Sequence, residues 1–201
     1  MNIVERANEI FATSVRDYHR FDSVDTPIEN PYPEGSIEHE LYLKNWIDTV
    51  QWHLEDIIRD PDITPSQGML IKHRIDASNQ DRTDLVEKID SYFYELFSHI
   101  TPVVGASINT ESPAWAIDRL SILHVKLWHM REQVARADVP QKQHDRCAAK
   151  LVVLQEQLHD LTLAIEQLLA DYESGRRIMK VYRQMKMYND PTLNPVLYGK
   201  K

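Results

Sequence analysis

An all-α fold is predicted by the spacing of the apolar residues, which recur three and four positions apart along nearly the whole chain. No run of alternating β-branched residues indicates a competing strand. Two hydroxyl–proline pairs, Thr64-Pro65 and Ser112-Pro113, are typical of helix starts. We therefore expect an up-and-down bundle of about four long antiparallel helices with shorter terminal helices.

The first predicted helix carries its apolar residues on one stripe and ends before a loop. The stripe consists of Ile3, Val4, Ala7, Ile10, Phe11, Val15 and Tyr18. Prolines at 27, 31 and 33 and a glycine at 35 indicate that the loop is long. A second helix is expected over residues 36–60, because Ser36 can cap it and Asp60-Pro61 ends it.

The third and fourth helices are predicted from their hydroxyl–proline starts. Thr64-Pro65 predicts a helix over residues 64–99, in which Gln67 can complete a capping box. Ser112-Pro113 predicts the next helix over residues 112–137 in the same way.

The last long helix is expected over residues 140–174 and carries a heptad pattern. Its apolar positions are Leu151, Leu154, Leu158, Leu161, Ile165, Leu168 and Tyr172. Such a seam predicts a facing helix along its whole length. Beyond Gly175, the spacing of Ile178, Val181, Tyr182 and Met185 predicts a shorter helix, followed by turns at 189–191 and 194–195.

Length, hydropathy and cysteine content restrict the class of protein. The 201 residues, 42% of them hydrophobic and 27% charged, favour a single globular domain over residues 1–201. No stretch approaches the roughly 18 apolar residues of a membrane-spanning helix, and the first residues do not resemble a secretory signal. We therefore expect a cytoplasmic protein, in which the single Cys147 forms no internal disulfide.

The net charge of −8 is unevenly distributed. Residues 174–201 hold seven basic residues and one acidic residue, whereas the body before them holds 16 basic and 30 acidic residues. An acidic body repels phosphate backbones, so no nucleic-acid partner is expected. The basic tail over 175–201 can meet an anionic ligand, an acidic partner or the acidic body itself, and we favour the body.

A polar stripe breaks the pattern of the third helix. The second half of this helix presents apolar residues toward the core. On the same face of the first half, the positions are occupied by Arg74, Ser78, Asp81 and Arg82. Buried charges are unfavourable unless they are paired, so the stripe predicts an internal ion-pair network, an outward rotation of this half, or the wall of a wet pocket. Networks are the more frequent arrangement in bundles.

The second and fourth helices supply further polar candidates. Trp52 lies among carboxylates opposite the apolar face of its helix, which predicts either a second protein contact or a ligand platform. The five-residue spacing of His124 and His129 does not favour a zinc site. The candidate pocket comprises Asn45, Asp48, Trp52, His53, Asp56, Arg74, Ser78, Asp81, Arg82, Asp118 and Arg119.

An enzymatic alternative would use Mg²⁺. The carboxylates of Asp48, Asp56, Asp81 and Asp84 are its candidate ligands, since Mg²⁺ prefers carboxylates, retained waters and a phosphate. Helical nucleotide pyrophosphohydrolases use paired acidic helices in this way, but their Glu-x-x-Glu motif is missing here.

Four blocks of this sequence resemble the bacterial family known as domain of unknown function 4254. They are Asn45-Trp46-Ile47-Asp48-Thr49-Val50-Gln51-Trp52-His53-Leu54-Glu55-Asp56, Arg74-Ile75-Asp76-Ala77-Ser78-Asn79-Gln80-Asp81-Arg82, Ile117-Asp118-Arg119-Leu120-Ser121-Ile122-Leu123, and Tyr188-Asn189-Asp190-Pro191 through Asn194-Pro195. The resemblance extends over essentially the entire chain. It implies a helical protein whose relatives accompany glycosyltransferases in clusters for envelope polysaccharide assembly, and it implies no activity.

Two hypotheses follow. The first is a non-catalytic binding or scaffold protein of glycan biosynthesis, without a cofactor, which binds a protein partner or forms a homo-oligomer. The second is a Mg²⁺-dependent hydrolase or transferase acting on a phosphorylated sugar or nucleotide, such as a nucleotide sugar, with Arg74, Arg82 or Arg119 binding phosphate. The sequence alone leaves open whether the protein is an enzyme.

Overall fold

Five α-helices and no β-strand make up the part of the chain that the computed structural model describes, residues 2–185 and 192–193. The helices are α1 (Ile3–Tyr18), α2 (Ile37–Ile57), α3 (Pro65–Phe97), α4 (Pro113–Ala135) and α5 (Gln141–Glu173). The predicted all-α class is confirmed. None of the helices in this described part has the length and apolar character needed to cross a membrane.

The helix starts follow the capping residues seen in the sequence. The Ser36 side chain accepts a hydrogen bond from the backbone of His39 at the start of α2. Thr64 and Gln67 form the predicted reciprocal capping box of α3. Ser112 caps α4 by accepting from the Trp115 backbone. These local predictions are confirmed.

The core lies where α1, α2 and α4 meet the second half of α3 and the last third of α5. Its largest fully buried side chains include Phe11, Tyr18, Tyr42, Phe93 and Tyr172. The heptad seam of α5 faces α4, but it is fully buried only from Ile165 onward. The earlier leucines of the seam are half-buried, so the predicted facing helix does not cover them completely.

The short helix predicted after Gly175 does not form in the described residues up to 185. Instead, the backbone of this segment pairs with the loop between α3 and α4. Ser107 N donates to Arg176 O at 3.1 Å, and Ile178 N donates to Ser107 O at 2.9 Å. Gly175 is required at the bend, because its φ is +71° and a Cβ would lie 2.7 Å from Thr101 O.

The basic tail lies against the acidic body as far as the structure describes it. Arg176 and Arg177 both form ion pairs with Asp171 at the end of α5. Arg183 lies 3.7 Å from a carboxylate oxygen of Glu87 on α3. The expected association of tail and body is confirmed for these residues, whereas the turns predicted at 189–191 and 194–195 are outside the described part.

Candidate functional site

The polar stripe of α3 joins a buried cluster that we call the ion-pair network, formed by Lys44, Asp48, Arg82 and Asp118. Arg82 Nε donates to Asp48 Oδ1 at 2.9 Å, and its Nη2 donates to both oxygens of Asp118 at 2.7 and 2.6 Å. The fully buried Lys44 ammonium binds Asp118 Oδ1 at 2.8 Å and also Asp48 Oδ2. Two cations thereby neutralise two carboxylates between α2, α3 and α4.

Two uncharged side chains extend the hydrogen bonding around the ion-pair network, although the buried Oδ1 of Asn45 has no partner. Ser121 Oγ donates to Asp48 Oδ2 at 2.6 Å. Asn45 Nδ2 in turn donates to the backbone oxygen and to Oγ of Ser121, both at 3.1 Å. Because the carboxylates are balanced and hydrogen-bonded, this cluster has the features of a structural network rather than of a wet pocket.

The structure does not bring the predicted Mg²⁺ ligands together. Asp48 is engaged by Lys44 and by other donors of the ion-pair network, while Asp56, Asp81 and Asp84 are exposed. Steps of three residues rotate around a helix, so the acids of α3 turn away from the inward-facing Arg82. Within the described residues, no three carboxylates lie close enough to hold a metal ion.

Three other predicted residues lie outside the ion-pair network. Arg74 binds the loop after α1, with Nη2 2.9 Å from Asp25 Oδ1. Ser78 donates to Gln51 Oε1 at 3.1 Å across α2 and α3. Arg119 is 61% exposed and pairs with an acid before α4. The predicted pocket is therefore divided among separate locations.

A groove of about 330 Å³ lies beside the ion-pair network and contains the predicted ligand platform. It is lined by Asp48, Gln51, Trp52, Glu55, Asp56, Arg59, Arg82, Ile122 and Val125. We call it the Trp52 groove. Four predicted residues, Asp48, Trp52, Asp56 and Arg82, meet there. A larger groove of about 720 Å³ lies between α4 and α5 and includes only Arg119 from the prediction.

The remaining candidate, His53, belongs to a different group of side chains, which we call the histidine cluster: His19, His53 and His129. One ring nitrogen from each residue lies within 4.8 Å of those from the other two. His53 Nε2 and His19 Nε2 are 3.3 Å apart. Trp52 stacks on His129, with ring centroids 4.9 Å apart, so the histidine cluster lies next to the Trp52 groove.

Burial favours the neutral form of two members of the histidine cluster, His19 and His53. Desolvation is the main cause that lowers the pKa of His19 and of His53 below the usual value of 6.5. The neighbouring His129 acts in the same direction on both residues. Both imidazoles are therefore neutral at pH 7.

A family model described as "Protein of unknown function (DUF4254)" matches residues 38–181. The chain belongs to the DUF4254 family. This confirms the resemblance, although the matched residues end before the fourth block of the sequence comparison. Neither a curated protein nor a solved structure matches the chain.

The DUF4254 match includes every residue of the ion-pair network and of the Trp52 groove. It also includes His53 and His129. His19 lies at the end of α1, before the first matched residue. The histidine cluster therefore combines two positions of the DUF4254 region with one that precedes it.

Sequence reasoning missed Lys44, His19 and His129 as members of these clusters. Lys44 precedes Asp48 by four residues, a spacing that brings side chains together on a helix and was an available signal. No local spacing relates His19 to His53 or His129, because the three residues lie on separate elements. Only the packing of α1, α2 and α4 brings them together.

Proposed function

We propose that this DUF4254 protein is a non-catalytic binding protein of cell-envelope polysaccharide biosynthesis, and that its Trp52 groove binds a neutral saccharide. The link to polysaccharides rests on the resemblance, which implies that relatives accompany glycosyltransferases. The saccharide is supported by the composition of the groove. The observation that carries the proposal is an indole that lines a groove with carboxylates and an amide around it.

An indole is a flat apolar surface suited to the apolar face of a sugar ring. One side of the Trp52 ring stacks on His129 at an interplanar angle of 12°, which fixes its orientation. Ile122 and Val125 extend the apolar wall from α4. Ligand sites commonly combine such a surface with a few polar groups that set orientation.

The polar groups of the groove favour hydroxyls over phosphates. Glu55 and Asp56 offer carboxylate oxygens that accept hydrogen bonds from sugar hydroxyls. Arg59 already forms an ion pair with Glu55 at 2.9 Å, and Arg82 is held by the ion-pair network. The groove is lined by three carboxylates and two guanidinium groups, so its lining is net negative and a neutral saccharide fits it better than a phosphate.

A binding role is also favoured over acid–base catalysis at the inner end of the groove. Asp48 is held by Lys44, Arg82 and Ser121. Both of its oxygens are occupied by these protein donors, so neither is free to contact a substrate.

The proposal is tested by calorimetric titration of the full chain with neutral disaccharides of glucose, galactose and N-acetylglucosamine. We expect at least one of them to bind. Trp52→Leu, which removes the aromatic surface, should weaken binding about tenfold, equivalent to about 1.4 kcal/mol. Trp52→Phe is the matched control, because it retains a ring and should preserve most of the affinity.

Two results would contradict the proposal. One is the absence of binding by all these saccharides to a folded protein, and the other is equal affinity of the parent and Trp52→Leu. Uridine diphosphate glucose serves as the phosphorylated comparison. Tighter binding of this compound than of any neutral sugar would favour the phosphorylated ligand class instead.

A further inference from the structure

We propose that the histidine cluster is a binding site for a zinc-class divalent transition metal. The site comprises His19 at the end of α1, His53 on α2 and His129 on α4. Their ring nitrogens converge within 4.8 Å, and this trio is the group of potential metal ligands found in the described part of the chain. Its three ligands are distinct from the acidic residues considered above and do not line the Trp52 groove, although His129 stacks on Trp52.

The hydrogen bonds of two imidazoles direct a free nitrogen into the histidine cluster. His19 Nδ1 lies 2.6 Å from the backbone oxygen of Val15, which can only accept, so Nδ1 carries the proton. His129 Nδ1 lies 2.8 Å from Glu132 Oε2 and donates to that carboxylate in the same way. With Nδ1 of each ring as the donor, Nε2 is the nitrogen left to coordinate a metal ion.

One of these nitrogens has no hydrogen-bond partner. His129 Nε2 is buried and unpaired, although buried polar atoms in proteins are nearly always satisfied. His19 Nε2 is 3.3 Å from His53 Nε2, which can donate a proton to it when no metal is bound. A metal ion coordinated by all three Nε2 atoms would give the unpaired nitrogen of His129 a partner.

The spacing agrees with tetrahedral coordination. Two nitrogens that are each about 2.1 Å from a tetrahedral zinc ion lie roughly 3.4 Å apart. The two Nε2 atoms of His19 and His53 are already at 3.3 Å. The ring nitrogen of His129 is no farther than 4.8 Å, so a small rotation of its side chain completes a three-nitrogen site with the fourth position left for water or a ligand.

The surroundings resemble the outer shell of known metal sites. Glu132 holds the distal nitrogen of His129, an arrangement that orients a ligand and increases its basicity. Trp52 and Trp128 stack on His129 and His19 and form an apolar shell. Asp22 Oδ1, 3.7 Å from His53 Nε2, adds negative charge beside the cation.

The ligand type determines the class of metal. Imidazole nitrogens suit zinc, copper, nickel, cobalt and iron, whereas Mg²⁺ and Ca²⁺ prefer oxygen ligands. We therefore expect binding of Zn²⁺ and Co²⁺ and no comparable binding of Mg²⁺.

The experiment is a titration of the untagged, chelator-treated full chain with Zn²⁺ by calorimetry, with Mg²⁺ as the comparison. One equivalent of Zn²⁺ should bind with micromolar or tighter affinity and raise the melting temperature. His53→Gln and His129→Gln should each weaken binding at least 100-fold. His159→Gln, which changes an exposed histidine of α5, is the matched control and should bind like the parent.

A second variant keeps the test decisive if a ligand substitution impairs folding. Glu132→Gln changes a half-exposed side chain and should weaken Zn²⁺ binding 10- to 100-fold while the helical circular dichroism is unchanged. The proposal is overturned if no stoichiometric Zn²⁺ binding occurs. It is equally overturned if folded Glu132→Gln retains parental affinity or if His159→Gln loses it. None of these three results depends on saccharide binding.

Discussion

The ion-pair network and the histidine cluster are both built on α2 and α4, but they use their polar atoms differently. In the ion-pair network, Lys44 and Arg82 each contact both Asp48 and Asp118. In the histidine cluster, by contrast, the Nε2 atom of His129 is buried without a partner. The charges of the first arrangement are paired by the protein itself, whereas the second leaves a ring nitrogen without a partner.

This difference separates two reasons for placing polar groups inside a helical bundle. Charges are strongly disfavoured in the interior unless they are balanced, so the ion-pair network requires partners from three helices and fixes how those helices meet. A single unsatisfied nitrogen is less unfavourable than an unbalanced buried charge, so it can persist in the folded protein. We infer that closed polar clusters hold this fold together, while open ones are available for ligands.

The largest expected effect on stability comes from removing one carboxylate of the ion-pair network. Asp118→Ala would leave the fully buried Lys44 and the partly buried Arg82 sharing only Asp48. Removing one partner of a buried ion pair typically destabilises a protein by about 3–5 kcal/mol. We expect a decrease of this size in the free energy of unfolding, measured by urea denaturation.

The adjacent residue provides a matched control for Asp118→Ala. Arg119→Ala removes an exposed ion pair with Glu111 and should change the free energy of unfolding by about 1 kcal/mol at most. Similar losses for Asp118→Ala and Arg119→Ala would show that the ion-pair network is not the stabilising centre we describe.

The second largest effect on stability should come from acidification, because it protonates histidines of the unfolded chain that are buried in the native protein. Burial lowers the pKa of His124 to about 4, and the pKa values of His19 and His53 are also lowered. Below pH 6.5 the unfolded chain binds protons that the native protein excludes, so stability falls as the pH decreases. For His124 alone the loss is about 1.4 kcal/mol at pH 5.5 relative to neutral pH.

Histidine-to-glutamine variants identify the residues that cause this pH dependence. Urea unfolding of the metal-free protein is measured at pH 7.5 and 5.5. Asp90, whose pKa burial raises, acts in the opposite direction, but it is common to the parent and the variants, so the comparison among them isolates the histidines. His124→Gln should reduce the difference in stability between the two pH values. His53→Gln, made as a separate variant, should reduce it as well. An unchanged difference in both variants would contradict the buried, neutral state of these imidazoles.

The sequence predicted what depends on local chemistry. Helix starts at Ser36, Thr64 and Ser112 follow from capping residues next to the backbone groups that they satisfy. The helical period also identified Arg82 as a polar residue facing inward. Whether that residue enters a network or a pocket depends on which groups the other helices bring to it, and its pattern alone did not decide this.

Tertiary packing determined the features that the sequence did not reveal. Lysine is rarely fully buried, so the position of Lys44 in the core could not be expected from its residue type. The histidine cluster joins residues 19, 53 and 129, which no helical spacing relates. The segment after Gly175 has an amphipathic pattern, but its backbone pairs with the loop at Ser107 instead of forming a helix.

The smallest expected effect on stability comes from Glu132, the carboxylate that accepts a hydrogen bond from the histidine cluster. Glu132 accepts a hydrogen bond from His129 Nδ1, but its side chain is 49% exposed, so water can replace it. Glu132→Gln should therefore change the free energy of unfolding of the metal-free protein by less than about 0.5 kcal/mol, measured by urea denaturation at pH 7.5. A loss above about 2 kcal/mol would make the histidine cluster a stabilising unit like the ion-pair network. A change below about 0.5 kcal/mol for Glu132→Gln, together with the large loss for Asp118→Ala, would show that the two carboxylates have different roles. Asp118 neutralises buried charge, whereas Glu132 orients a ligand.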